Sequence, residues 1–105
     1  HAGAVRHLPE DAFRFRPPQP VDWLVCDIVD KPARVAELVE RWFLNGWCRQ
    51  AIFNLKLPMQ RRYRDAVAML EHMLGVLEAC EGRYTCSARQ LYHDREEITV
   101  WLRRL

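Results

Sequence analysis

The sequence predicts an α/β fold: a mostly parallel sheet with an antiparallel last strand and helices on its faces. Three observations predict it. Two short apolar runs, residues 21–29 and 51–57, are nearly continuous, as strands buried on both faces are. Each run is followed by a longer segment whose apolar residues recur at helical spacing. Two looser, alternating segments, 85–91 and 97–103, close the chain and are joined too tightly for a parallel crossover. The order is therefore strand, helix, strand, helix, strand, strand, with the first three strands parallel and the last antiparallel.

Residues 1–20 read as a loop entering the sheet, since Pro17, Pro18 and Pro20 suit neither helix nor central strand. In the run 21–29, Asp27 stands near the carboxyl end, where a carboxylate is costly unless it is paired or used. Asp30 is placed to cap a helix over 31–45, with Pro32 in its first turn and Asn45-Gly46 as its stop. Val35, Leu38, Val39, Trp42 and Phe43 form that helix's apolar stripe. The run 51–57 carries one charge near its carboxyl end, Lys56, and Pro58 ends it. A second helix, 59–79, has Ala66, Met69, Leu70, Met73, Leu74 and Leu77 as its stripe, with Gly75 as a weak point. Four tryptophans, Trp23, Trp42, Trp47 and Trp101, read as core.

Composition bounds the function. The chain has 105 residues, enough for one domain or part of one. Half of them are apolar and 29% are charged, which excludes disorder. No apolar run reaches the ~18 residues that span a bilayer, and no signal peptide opens the sequence, so a cytoplasmic protein without a membrane contact is expected. The net charge of +2 is close to neutral. The arginines nevertheless cluster, and Arg suits bidentate contact with phosphate. Arg61 and Arg62 follow Lys56 across Pro58 and are candidate phosphate contacts, in a first helical turn where cations oppose the helix dipole. Cys26, Cys48, Cys80 and Cys86 contain no Cys-x-x-Cys pair, and His72, Cys80, Cys86 and His93 match no usual zinc spacing, so no metal is expected.

Ligands of open parallel sheets bind beyond the carboxyl ends of the strands. Asp27 and Lys56 both stand there. The antiparallel last strand presents its amino end at the same edge, with Glu97 on it. Asp27, Lys56 and Glu97 thus converge on one rim as candidate catalytic residues. A lysine in a dry pocket accepts a proton from a weak acid such as a sugar hydroxyl, and carboxylates hold the ammonium that forms. A hydroxyl deprotonated in line with an electrophilic methyl is methyl transfer.

Four segments, Val21-Asp22-Trp23-Leu24-Val25-Cys26-Asp27, Asn45-Gly46-Trp47-Cys48-Arg49, Ile52-Phe53-Asn54-Leu55-Lys56-Leu57-Pro58-Met59 and Ala88 through Glu97, closely resemble the bacterial RlmM family. That family comprises S-adenosylmethionine-dependent ribose 2′-O-methyltransferases acting on a cytidine of 23S ribosomal RNA. The resemblance covers nearly the whole chain. It implies a Rossmann-like methyltransferase fold and a Lys-Asp-Lys-Glu tetrad of the FtsJ-like kind. Asp27 matches the tetrad aspartate, Lys56 the second lysine and Glu97 the glutamate, with Glu96 as the alternative for the last. Asp11 and Ala12 resemble the pair that meets the cofactor's adenine, which puts residues 1–20 on that side of the cofactor, and Asp27 is a further cofactor contact. The first tetrad lysine and the Gly-rich cofactor loop would lie upstream of residue 1, as would the family's RNA-binding domain. Residues 21–105 then form the carboxyl half of a catalytic domain whose amino-terminal half is a partner. Alone, such a chain would bind S-adenosylmethionine poorly and be inactive. The edge of the strand at 21–29 would be bare, so that the chain dimerises, swaps or aggregates. The competing reading is a non-catalytic fragment that supplies RNA or subunit contacts only.

Overall fold

A computed structural model describes residues 5–8, 16–28, 30–56, 62–80, 82–89 and 97–105. Its strands are β1 (Val5–Leu8), β2 (Val21–Cys26), β3 (Cys48–Lys56), β4 (Tyr84–Arg89) and β5 (Glu97–Arg104), and its helices are α1 (Pro32–Leu44) and α2 (Arg62–Ala79). The strands form one five-stranded sheet in the order β1-β2-β3-β5-β4. β1, β2 and β3 run parallel. β5 is antiparallel to both of its neighbours, β3 and β4. The α/β class and the antiparallel last strand are as the sequence predicts. β4 runs in the direction of β1 to β3, but β5 separates it from β3.

Two expectations are corrected. Residues 1–20 are not loop throughout, because Val5–Leu8 forms β1 and pairs with β2 from Val5 against Trp23 to Leu8 against Cys26. The edge of β2 expected to be bare is therefore filled from within the chain. The physical reason is the demand of β2's outer N–H and C=O groups for partners, which a four-residue strand satisfies despite its lack of an apolar run. The other correction concerns the faces. β2 alternates instead of burying both sides: Leu24 and Cys26 are buried, whereas Trp23 and Val25 are half-buried. α1 and α2 pack on each other and on the same side of the sheet.

That side is the core. Register sets Leu24 beside Ala51 and Cys26 beside Phe53, and places Val100 opposite Phe53 and Leu102 opposite Ala51. All are buried, as are Val35, Val39, Trp42 and Phe43 of α1 and Ala66, Leu70, Met73 and Leu77 of α2. Both helical stripes follow the predicted spacing. The cap of α1 differs: Lys31, not Asp30, is the N-cap residue and makes no side-chain cap bond. Asp30 instead accepts a hydrogen bond from the Lys31 N–H at 2.6 Å and pairs with Arg34 at 3.1 Å. The stop is as predicted. Gly46 has φ +67°, in the left-handed region open to glycine. Its N–H bonds the Phe43 carbonyl at 3.0 Å and the Trp47 N–H bonds the Trp42 carbonyl at 2.9 Å, a Schellman turn. The rings of Trp42 and Trp47 meet edge to face at 5.6 Å, supplying the apolar contact that accompanies such a turn. The turn delivers the chain directly into β3.

Candidate active site at the carboxyl rim of the sheet

The pleat divides β3 by parity. Ala51, Phe53 and Leu55 point into the core, while Gln50, Ile52, Asn54 and Lys56 lie on the opposite face, which no described element covers. Lys56 is the last residue of β3 and is exposed. Glu97, the first residue of β5 and half-buried, is its partner across the ladder. Asp27 follows the end of β2, whose Cys26 lies beside Phe53, and so arrives at the level of Asn54. The three predicted residues thus come to one end of three adjacent strands. Among the described residues no ion pair joins Lys56 to Asp27 or Glu97. The dry pocket expected around Lys56 is not formed by the described residues, since β2, β3 and β5 leave it exposed.

What does join the strands at the rim is a chain of neutral and charged hydrogen bonds. The Thr99 hydroxyl donates to Asn54 Oδ1 at 2.8 Å, and Asn54 Nδ2 donates to Asp27 Oδ1 at 3.0 Å. Thr99 and Asn54 are also ladder partners. Sequence reasoning missed both residues. Asn54 carried a signal: it stands two residues before Lys56, hence on the same face, as the one amide in an apolar run.

Below the rim the uncovered face turns apolar. Trp23 and Trp101 stack at 6.1 Å and 23°, and Trp101 Nε1 donates to Gln50 Oε1 at 3.2 Å. Trp101 is 43% exposed and Ile52 36%, so Trp101 is not core as expected. A shallow hollow of about 430 Å³ lies between Ile52, Ser87, Arg89, Thr99 and Trp101. Trp47 lies under Arg16 and Arg41, whose guanidinium carbons sit 5.8 and 5.7 Å from its ring centre. Burial pushes the thiols of Cys26 up to about 11 and Cys48 up to about 12, which keeps both protonated and unreactive.

Asp11, Ala12, Glu96 and Arg61 lie outside the described residues, and Arg62 opens α2 with a side chain that also lies outside them. Among the described residues no helix is long and apolar enough to cross a membrane.

Comparison with known proteins supplies the context of this rim. Ribosomal RNA large subunit methyltransferase M of Aggregatibacter aphrophilus is 51% identical over 105 residues, covering 98% of this chain. The proteins of the same name from Cellvibrio japonicus and Pseudomonas putida are 55% and 52% identical over 102 and 103 residues. The chain matches the carboxyl-terminal part of this methyltransferase family. It spans about 29% of the length of these relatives. No family model matches the chain. Among solved structures, the Methanococcus jannaschii fibrillarin pre-rRNA processing protein superimposes with a TM-score of 0.53 at 12% identity, over 82% of this chain and 37% of that one. That likeness concerns the fold alone.

Proposed function

We propose that this chain is the carboxyl part of the catalytic domain of a longer ribosomal RNA methyltransferase. In this reading the longer protein methylates the ribose 2′-hydroxyl of a cytidine in 23S ribosomal RNA, in the cytoplasm. The observation that carries the proposal is the meeting of Asp27, Lys56 and Glu97 at one rim, with Lys56 and Glu97 in register. Lys56 takes the proton of the ribose hydroxyl. Asp27 and Glu97, on the flanking strands, hold the ammonium that forms and orient it. Arg61 and Arg62 follow Lys56 in the chain and are assigned to RNA phosphates.

The methyl donor of this reading is S-adenosylmethionine, which supplies an electrophilic methyl carbon on a sulfonium when bound. Asp27 fits such a donor, because it offers an exposed carboxylate to a cationic ligand at the strand end where parallel sheets bind ligands. Asp11 and Ala12 are assigned to its adenine. The rest of the longer chain supplies the remainder of the cofactor site and covers the open face. Among the described residues one face of the sheet presents the large apolar side chains of Trp101 and Ile52 to water, as a face that meets a partner does.

The test uses the full-length protein with methyl-labelled S-adenosylmethionine and unmodified 23S RNA, followed by nucleoside mass spectrometry. The expected product is 2′-O-methylcytidine. Label on a base, or RNA binding without transfer, overturns the proposal; the second result supports a non-catalytic binding role.

A further inference from the structure

We propose that Asn54 is a positioning residue: its side-chain amide, anchored by the Thr99 hydroxyl, fixes the Asp27 carboxylate at the rim that Lys56 shares. The inference rests on the methyl-transfer reading above. A carboxylate only accepts hydrogen bonds, so the group facing Asp27 Oδ1 must be the amide nitrogen, which donates at 3.0 Å. This turns Asn54 Oδ1 toward β5, where it accepts from the Thr99 hydroxyl at 2.8 Å. The chain of bonds therefore has one direction, Thr99 to Asn54 to Asp27, and each member fixes the next. Oδ1 is the carboxylate oxygen held, and among the described residues no hydrogen bond is made to Oδ2.

Placement supports the assignment. Asn54 and Lys56 are two residues apart on one face of β3, one pleat repeat of about 7 Å. Thr99 and Glu97 repeat the same step on β5, opposite them. Asp27 stands past the last residue of β2, where no ladder bond holds it in register, so a side-chain contact has to orient it. Asn is among the residues least suited to a strand. A β-branched residue at position 54 would serve the sheet better, and the amide is explained by what it holds.

The experiment compares Asn54→Ala, Thr99→Val and Thr99→Ser in the full-length protein. Asn54→Ala is expected to lower kcat about 10- to 100-fold, the scale of a misplaced reacting group. The unfolding temperature should stay close to that of the wild type, and the KM for S-adenosylmethionine should rise no further than it does in Asp27→Ala, because Asp27 also faces the cofactor in this reading. Thr99→Val should lose part of this activity, and Thr99→Ser, which keeps the hydroxyl, should restore it. On an Asp27→Ala background, Asn54→Ala should add no further loss, because residues acting as one unit are non-additive. A wild-type kcat in Asn54→Ala overturns the proposal, as does a further loss on the Asp27→Ala background or a fall in kcat that tracks the unfolding temperature. Retained transfer in both Lys56→Ala and Asp27→Ala would instead overturn the assignment of this rim as the active site, and absence of transfer by the unsubstituted protein would overturn the methyl-transfer reading. An activity-independent readout is the Asn54 side-chain amide resonance, which should move in Asp27→Ala and in Thr99→Val; a signal indifferent to both contradicts the geometry.

Discussion

Ile52 and Phe53 are neighbours in the chain and live on opposite sides of the same sheet. Phe53 is fully buried in the core on the helix side, whereas Ile52 is 36% exposed beside Trp101 on a face that no described element covers. Every buried residue of the covered face is apolar. The open face is mixed, with Trp23, Ile52 and Trp101 at its centre and Asp27, Asn54, Lys56, Thr99 and Glu97 toward the rim. The difference teaches how one strand carries two tasks. Between residues 50 and 56 of β3, the odd positions hold the fold together and the even positions carry the polar chain and the rim lysine, so chemistry there can change without emptying the core.

The sharpest way to break this comparison is to truncate each neighbour in turn. Phe53→Ala should cost about 3–5 kcal/mol, the range for deleting a buried aromatic ring. Against a typical total of about 5–15 kcal/mol, that brings a small domain near unfolding. Ile52→Ala in this chain should cost under about 1 kcal/mol, because little apolar area is lost from a site already open to water. Urea unfolding of both variants reads the difference, and equal losses would show that the two faces are not distinct. In the full-length protein the cost of Ile52→Ala should rise above its value in this chain, and an unchanged cost would count against a covered face there.

A smaller effect follows from the two buried thiols. Their ordinary value is near 9, and burial raises Cys26 to about 11 and Cys48 to about 12. As pH passes about 9 the unfolded chain releases these protons while the folded chain keeps them. The unfolded state then binds fewer protons, so stability falls from about pH 9 to about pH 12. Urea midpoints at pH 8 and pH 10.5 should show the fall. The Cys26→Ala, Cys48→Ala double variant should flatten it, and an unchanged slope would contradict the burial of these groups.

The smallest effect is expected on the exposed side of α2. Gly75 has open space where a Cβ would stand. Gly75→Ala should stabilise the chain by about 0.5–1 kcal/mol through helix propensity, raising the unfolding midpoint by a few degrees. A loss of stability would mean that this side of α2 is packed against something.

Much of this was legible because apolar periodicity reports burial. The stripes of both helices, the Gly46 stop and the antiparallel β5 all follow from spacing and turn chemistry. The number of covered faces was not legible. The run at 21–29 is apolar on both faces, and a sequence cannot say whether the chain's own helices or something outside them meet each side. β1 was hidden because four residues holding Arg6 and His7 carry no apolar pattern, and only the vacant edge of β2 gives them a place. At the site, isolated charges at strand ends marked Asp27, Lys56 and Glu97. Asn54 and Thr99 were missed because an amide and a hydroxyl draw attention only once register sets them side by side. The Asp30 cap failed because the helix begins one residue later and Asp30 turns to Arg34.

The account rests most heavily on Lys56 as the group that takes the hydroxyl proton, and one measurement tests it directly. Methyl transfer to unmodified 23S RNA is measured with the full-length protein and its Lys56→Ala variant, alongside S-adenosylmethionine affinity by calorimetry. Loss of a positioned base predicts a fall of at least about 10²- to 10⁴-fold in transfer rate. Cofactor affinity and the unfolding midpoint should stay close to those of the unsubstituted protein. Near-normal transfer by Lys56→Ala would contradict the account.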